Sequence, residues 1–266
     1  MYRDCKMNIK NSTKKVVFEL TTACNLNCKH CFYQNNEEFN SSHFLKKQQA
    51  FILIDKFKKN GINKLVLTGG EPTIHPDFVE IAKYAKYRIK KVTLCTNGVI
   101  KNKNLIENII NLNFDTYTVS IDSHLSNIHN SFRGKEGALR EVLTFTELLK
   151  KNNRNLSIHI TLHQNNINHI EKTINFCRKF NCEIVVSSIY YEKVAINDKI
   201  KEDYQEKIKD FKNKYINDKK VILVGFNKYC NAKNCLDQKQ VYTVNSYGQL
   251  VGCYWKKGGG KVIKKY

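Results

Sequence analysis

Val16-Val17-Phe18-Glu19-Leu20-Thr21-Thr22-Ala23-Cys24-Asn25-Leu26-Asn27-Cys28-Lys29-His30-Cys31 joins two signals. The first is a short β-branched run, Val16–Leu20, that reads as a strand. The second is a C-x3-C-x2-C triplet directly after it. Thiolates are natural ligands for iron–sulfur clusters. Three closely spaced thiolates hold three irons of a 4Fe–4S cube and leave the fourth iron open to another ligand. Two other readings stand beside this one. Zinc takes four protein ligands, typically from two C-x2-C pairs or a Cys/His set; here the available histidine, His30, lies awkwardly between two of the cysteines. Unpaired core cysteines are the other alternative.

Outward from this stretch, short apolar runs alternate with helical patterns. Strands are expected at Val16–Leu20, Lys64–Thr68, Lys91–Cys95, Thr116–Ile121, Leu156–Leu162 and Glu183–Ile189. Helical spacing fills Phe44–Lys59, Phe78–Tyr87, Lys103–Leu112, Ala138–Lys151, Ile167–Phe180 and Lys199–Tyr215. Six strand–helix units imply a parallel sheet with crossover helices. They are too few for an eight-stranded barrel and suit an open or partial one, an α/β fold of (β/α)6 type. After about residue 217 the pattern changes, which divides the chain into 1–217 and 218–266. A hairpin is expected from Gln240–Asn245 and Gln249–Trp255, turning at Ser246-Tyr247-Gly248. The tail Lys256–Tyr266, with Gly258-Gly259-Gly260, is expected to be mobile.

Further motifs fall at strand ends. Thr68-Gly69-Gly70-Glu71-Pro72 ends the second strand: two glycines permit close backbone approach, and a carboxylate pairs with an ammonium. Thr96-Asn97-Gly98 ends the third strand and Ser120-Ile121-Asp122 the fourth. His129-Asn130-Ser131-Phe132-Arg133-Gly134 follows. Taken singly, each is an ordinary strand-end turn. Their shared location matters, because sheets of this type bind ligands at the carboxyl ends of their strands.

In this order the motifs resemble the radical S-adenosylmethionine (radical SAM) family, over roughly residues 14–190. The resemblance implies a partial TIM-like barrel and a 4Fe–4S cluster on Cys24, Cys28 and Cys31. It also implies S-adenosylmethionine on the open iron, cleaved reductively to a 5′-deoxyadenosyl radical that abstracts hydrogen from a substrate. It places Gly69, Gly70, Glu71 and Pro72 at the methionine amino group. Asn97 falls among the cofactor-binding residues, Ser120 and Asp122 at the ribose or methionine moiety, Arg133 on the methionine carboxylate, and His30 beside the adenine. Cys235, twelve residues, Gly248, four residues and Cys253 resemble the opening of a SPASM or Twitch extension. That implies a small C-terminal iron–sulfur extension, truncated here, with an auxiliary cluster on Cys230, Cys235 and Cys253. The fourth ligand is left among Cys5, Cys177, Cys182 and the substrate; a structural zinc, or an element that has lost its metal, is the alternative.

Composition bounds the rest. The chain has 266 residues, 41% of them hydrophobic, enough for a packed core. Ten cysteines in a chain without a secretory signal point to metal rather than disulfides. No apolar run is long enough to span a membrane, so a cytoplasmic, membrane-free protein is expected. Lys plus Arg is 45 against 24 acidic residues, a net charge of +21. The excess is spread along the chain and dominated by Lys, which reads as solvated surface rather than a nucleic-acid footprint. Cys95, Cys177 and Cys182 read as small core residues, and His159 and His163 as polar positions on one face of the fifth strand. The expected substrate is a peptide or protein side chain, with a sugar or nucleotide as the alternative. No peptide-recognition domain precedes the first strand, so a peptide is expected to need a separate partner or direct docking in the barrel. An external one-electron reductant of flavodoxin or ferredoxin type is the expected partner. The rival from another class is a non-catalytic, zinc-bearing RNA-binding module.

Overall fold

A computed structural model describes residues 15–31, 33, 42–188, 198–224, 241–251 and 262–265. Seven parallel strands follow one another across the sheet: β1 (Lys15–Glu19), β2 (Lys64–Thr68), β3 (Lys91–Thr96), β4 (Thr116–Ser120), β5 (Leu156–Leu162), β6 (Glu183–Ser188) and β7 (Val221–Val224). The crossovers carry α1 (Lys47–Lys59), α2 (Phe78–Arg88), α3 (Lys103–Asn111), α4 (Ser126–Arg133), α5 (Ala138–Lys151), α6 (Ile170–Arg178) and α7 (Asp198–Tyr215). This is the expected α/β architecture of a partial TIM-like barrel. β8 (Val241–Val244) pairs parallel with the outer edge of β1. β9 (Gln249–Val251) and β10 (Val262–Lys265) add antiparallel beyond it, giving the order β10-β9-β8-β1-β2-β3-β4-β5-β6-β7. The sheet therefore continues past residue 217 at both of its edges.

The strand pleat sorts the two faces. Phe18, Leu67, Leu94, Val119, Ile158, Ile160 and Val186 have no solvent exposure. They pack with Ile54, Ile81, Phe145 and Ile174 of the helices in one continuous core. Each such side chain contributes about 1.5–3 kcal/mol on burial. The alternate residues Val17, Thr93, Thr118, Ser120, His159 and Val185 are only half-buried. A parallel sheet covered on both faces reads as continuously apolar. Here β3 and β4 alternate apolar with polar residues, and the alternate positions form a second, half-buried face.

Several boundaries moved, for identifiable reasons. α1 begins at Lys47 rather than Phe44, because the preceding backbone is held elsewhere: the Leu45 amide donates to Leu20 O, and Phe44 bridges Thr21. The turn before α6 is 3₁₀ over Ile167–His169. Asn166 directs it, accepting from the His163 amide and donating to the Asp122 and Thr161 carbonyls. α4 was read only as a motif, and β7, four residues long, was not anticipated. The hairpin is found as β8 and β9. Gly248 takes the left-handed conformation at φ 73° and its amide closes the turn on Asn245 O. Residues 252–255 of the second arm, the tail glycines, and Cys5, Cys230, Cys235 and Cys253 lie outside the described residues; the tail was expected to be mobile, but its Val262–Lys265 pair with β9 as β10. Among the described residues, no helix is long and apolar enough to cross a membrane.

Candidate active site

The cysteine loop crosses the carboxyl end of the sheet directly above β1 and β2. Two amides of the Gly-Gly-Glu turn anchor it: Gly70 donates to Thr21 O (2.7 Å) and Glu71 to Ala23 O (2.8 Å). A Cβ on Gly69 would strike Thr21 O, and one on Gly70 would strike Ala23 O. Gly69 also sits at φ 141°, outside the range that side chains favour. The close approach that these glycines permit is thus to the cysteine loop itself. The far side of the loop meets the end of α4. Lys29 donates its amide to Phe132 O (3.0 Å), and Gly134, left-handed at φ 68°, leaves no room for a Cβ against Asn27 O.

Glu71 is 1% exposed, and its carboxylate ties the ends of β2 and β3 together. Its Oε1 accepts from the Thr73 amide, Thr73 Oγ1 and Thr96 Oγ1, and its Oε2 from the Asn97 amide (2.7 Å). Burial raises its pKa while these donors hold it down. Asn97 carries the connection onward: its Nδ2 donates to Asn25 Oδ1 (2.8 Å) and lies 3.8 Å from Cys24 Sγ, while Asn25 donates to Val99 O. Pro72 starts the single 3₁₀ turn after Glu71.

On the other side, Asp122 has no solvent exposure and accepts from Arg133 Nε at 2.6 Å and from the Thr161 amide at 2.9 Å. Arg133 is 7% exposed and also bonds the Cys28 thiol. Although burial opposes it, the Arg133 guanidinium holds the Asp122 carboxyl well below the usual carboxylate range. Four histidines surround this pair. His30 and His163 both stack on Phe132, at 4.6 and 3.6 Å between ring centres. His129 Nδ1 accepts from the Asp122 amide, and His159 Nε2 meets Ser187 Oγ at 2.9 Å. Burial pushes His30 down to about 3, and His129 and His163 each to about 4. Ser120 lies on the inner face, in register with His159.

The sequence-derived residues Cys24, Cys28, Cys31, His30, Gly69, Gly70, Glu71, Pro72, Asn97, Ser120, Asp122 and Arg133 are therefore gathered at one end of the sheet. Sequence reasoning missed Asn25, Thr73, Thr96, Phe132 and Asn166, which hold them. It placed His163 on the fifth strand, which in fact ends one residue earlier, at Leu162. Position next to a strand end was the available signal. Cys177 and Cys182 are buried, as small core residues are, whereas Cys95 is half-buried on the inner face with Thr118 as its partner.

The donor set suits a cluster. Cys24, Cys28 and Cys31 are free thiols on one loop, half-exposed; Cys24 feels the charge of Cys28 and Cys31, and Cys28 that of Cys31. Burial pushes Cys24 up to about 12 and raises Cys28 despite Arg133; a bound metal inverts that balance by binding thiolate. Among the described residues, no group of three or more His, Cys, Asp or Glu side chains converges on a single-ion position. Thiolates are the ligands that iron–sulfur clusters take, and three on one loop leave one iron of a 4Fe–4S cube open.

The family model described as Radical SAM superfamily matches residues 18–177. An AdoMet-dependent heme synthase of Methanosarcina barkeri is 32% identical over 169 residues, which is 64% of this chain and 48% of the relative. The antilisterial bacteriocin subtilosin biosynthesis protein AlbA of Bacillus subtilis is 34% identical over 140 residues, 50% of this chain and 29% of the relative. This chain thus spans less than half the length of either. The crystal structure of Streptococcus suis SuiB bound to precursor peptide SuiA superposes with a TM-score of 0.72 at 15% identity, covering 93% of this chain and 61% of that one.

Proposed function

We propose that this chain, which belongs to the radical SAM superfamily, reductively cleaves S-adenosylmethionine to start a radical reaction on a peptide or protein side chain. The observation that carries the reading is the anchoring of the three-cysteine loop. It is held on one side by Gly70 and Glu71 and on the other by the end of α4, so its thiols sit among the strand-end polar residues. Cys24, Cys28 and Cys31 hold a 4Fe–4S cluster, which when bound supplies the single electron that breaks the sulfonium bond. Glu71 Oε2, with one donor, takes the methionine ammonium. Arg133 has its Nε committed to Asp122 and offers its remaining donors to the methionine carboxylate. Asn97 and Ser120 line the ribose side, and His30 on Phe132 the adenine side. Asp122 acts as a positioning residue for Arg133.

Two relatives support the peptide: AlbA is named for bacteriocin biosynthesis, and SuiB was solved with a precursor peptide. A partial barrel, unlike a closed eight-stranded one, admits a flexible segment from the side. In this reading Cys230, Cys235 and Cys253 hold an auxiliary cluster in a Twitch-like extension within residues 218–266, and an external flavodoxin or ferredoxin delivers the electron in the cytoplasm. The test is to incubate the reduced, reconstituted protein with S-adenosylmethionine and, separately, candidate peptides, an iron tetrapyrrole, and phosphorylated sugars or nucleosides, following product mass. A mass change confined to a peptide is expected. Turnover of a tetrapyrrole, sugar or nucleotide with peptides untouched overturns the substrate assignment.

A further inference from the structure

At the opposite end of the sheet, the loops entering β5, β6 and β7 enclose a cleft of about 470 Å³. Its floor is apolar, formed by Leu156, Phe180 and Cys182, each at least nine-tenths buried. Its rim carries four cations, Lys150, Arg154, Lys219 and Lys220, against one acid, Glu183. Three of the cations are fixed by neutral acceptors. Lys150 Nζ donates to Lys179 O (2.6 Å), Lys220 Nζ to Asn181 Oδ1 (2.7 Å), and Arg154 Nη1 to Asn113 Oδ1 (2.9 Å). Carbonyls and amides set the positions of these side chains without cancelling their charge. Arg154 Nε is buried with no hydrogen-bond partner, and the one bond of its guanidinium to Asn113 leaves its charge unneutralised. Lys219 is exposed and has no acceptor among the described residues.

We propose that this cleft binds an acidic peptide segment, with carboxylates on Arg154, Lys219 and Lys220 and the chain's amides on Asn153 and Asn155. The arrangement favours a peptide over a small phosphate, because the cleft is several times larger than one anion and offers amide side chains between its charges. It favours a peptide over RNA, because the lining presents no exposed aromatic face for a base to stack on. Both readings involve a peptide, but binding here needs neither cluster nor S-adenosylmethionine. A failed binding assay therefore leaves the radical reading intact, and the reverse also holds.

The experiment is fluorescence anisotropy on the 266-residue chain, without S-adenosylmethionine, using a short labelled Glu-rich peptide and its Gln-rich counterpart. Replacing Arg154, Lys219 and Lys220 by Gln is expected to weaken binding of the Glu-rich probe by about tenfold or more. Lys219→Glu alone, which touches no tethered group, is expected to weaken it in the same direction. A control of equal charge loss elsewhere, Lys83, Lys101 and Lys103 to Gln, is expected to leave it within about twofold. Equal losses in the cleft and control variants would overturn the proposal by showing general electrostatic attraction only. Equal affinity for the Gln-rich peptide, tighter binding of inorganic phosphate, or tighter binding of an oligouridine would overturn it as well.

Discussion

Asp122 and Arg133 are paired at 2.6 Å with almost no solvent contact, and removing one partner of such a pair strands the other. Arg133→Ala is expected to destabilise the protein by about 3–5 kcal/mol. Adding Asp122→Asn should recover most of that loss. Urea unfolding of the three proteins checks it, and a loss under about 1 kcal/mol for Arg133→Ala would show that the pair is not needed for stability. His129 and His163 bear on pH. Each accepts a backbone amide at Nδ1, from Asp122 and Asn165 respectively, and so binds as the neutral ring. Burial holds both near 4 in the folded chain, below the ordinary value of about 6.5. A group with a depressed folded value lends stability that is complete above its unfolded value and is lost as pH falls toward the folded one. The urea midpoint should therefore drop between about pH 6.5 and 4, and His163→Gln should flatten that drop by on the order of 2 kcal/mol. An unchanged pH profile in His163→Gln would contradict the assignment. These residues also mark where reading the sequence stopped. The Arg133-Gly134 and Ser120-Ile121-Asp122 motifs were visible, but that Asp122 would be the partner of Arg133 was not, because it depends on α4 folding back over the end of β4.

Gly70 and Gly134 act through the elements they join. Each leaves space for the backbone of the cysteine loop, Gly70 beside Ala23 and Gly134 beside Asn27. A methyl at either site must displace that loop, and at Gly134 it adds left-handed strain of about 1–2 kcal/mol. Gly70→Ala and Gly134→Ala are expected to keep most of the helical circular dichroism while losing most of the iron taken up on reconstitution. Iron analysis beside far-ultraviolet dichroism tests this; full iron content in both variants would show that the loop tolerates the shift. The elements themselves were largely legible. β2, β5 and α5 have the anticipated bounds, because apolar periodicity and flanking polar residues coincide there. The start of α1 and the first turn of α6 were not legible. Hydrogen bonds to residues distant in sequence, from the Leu45 amide to Leu20 before α1 and from the Asn166 side chain to Asp122 before α6, override local helical preference at both places. β7, with half of its four residues exposed, gave too short a pattern to read.

Over the whole molecule, the seven parallel strands set the cysteine loop at one end of the sheet and the basic cleft at the other. The alternation of β3 and β4 is the sequence sign of their half-buried second face, since a sheet with two covered faces does not alternate. The charge of +21 was read as evenly spread surface. Its local concentration at the foot of β5–β7 appears only when three loops distant in sequence meet. The C-terminal cysteines enter through metal content. With two 4Fe–4S cubes the reconstituted chain should hold about eight irons, and the variant with Cys24, Cys28 and Cys31 changed to Ala about half as many. Complete loss of iron in that variant would exclude an auxiliary cluster on Cys230, Cys235 and Cys253.

The most direct test is release of 5′-deoxyadenosine from S-adenosylmethionine by the anaerobically reconstituted, dithionite-reduced chain, measured by chromatography beside the Cys24, Cys28 and Cys31 triple Ala variant. Release by the wild-type chain and none above background by the variant is the predicted result; equal release by both, or none by a wild-type chain that carries its full cluster, would contradict it.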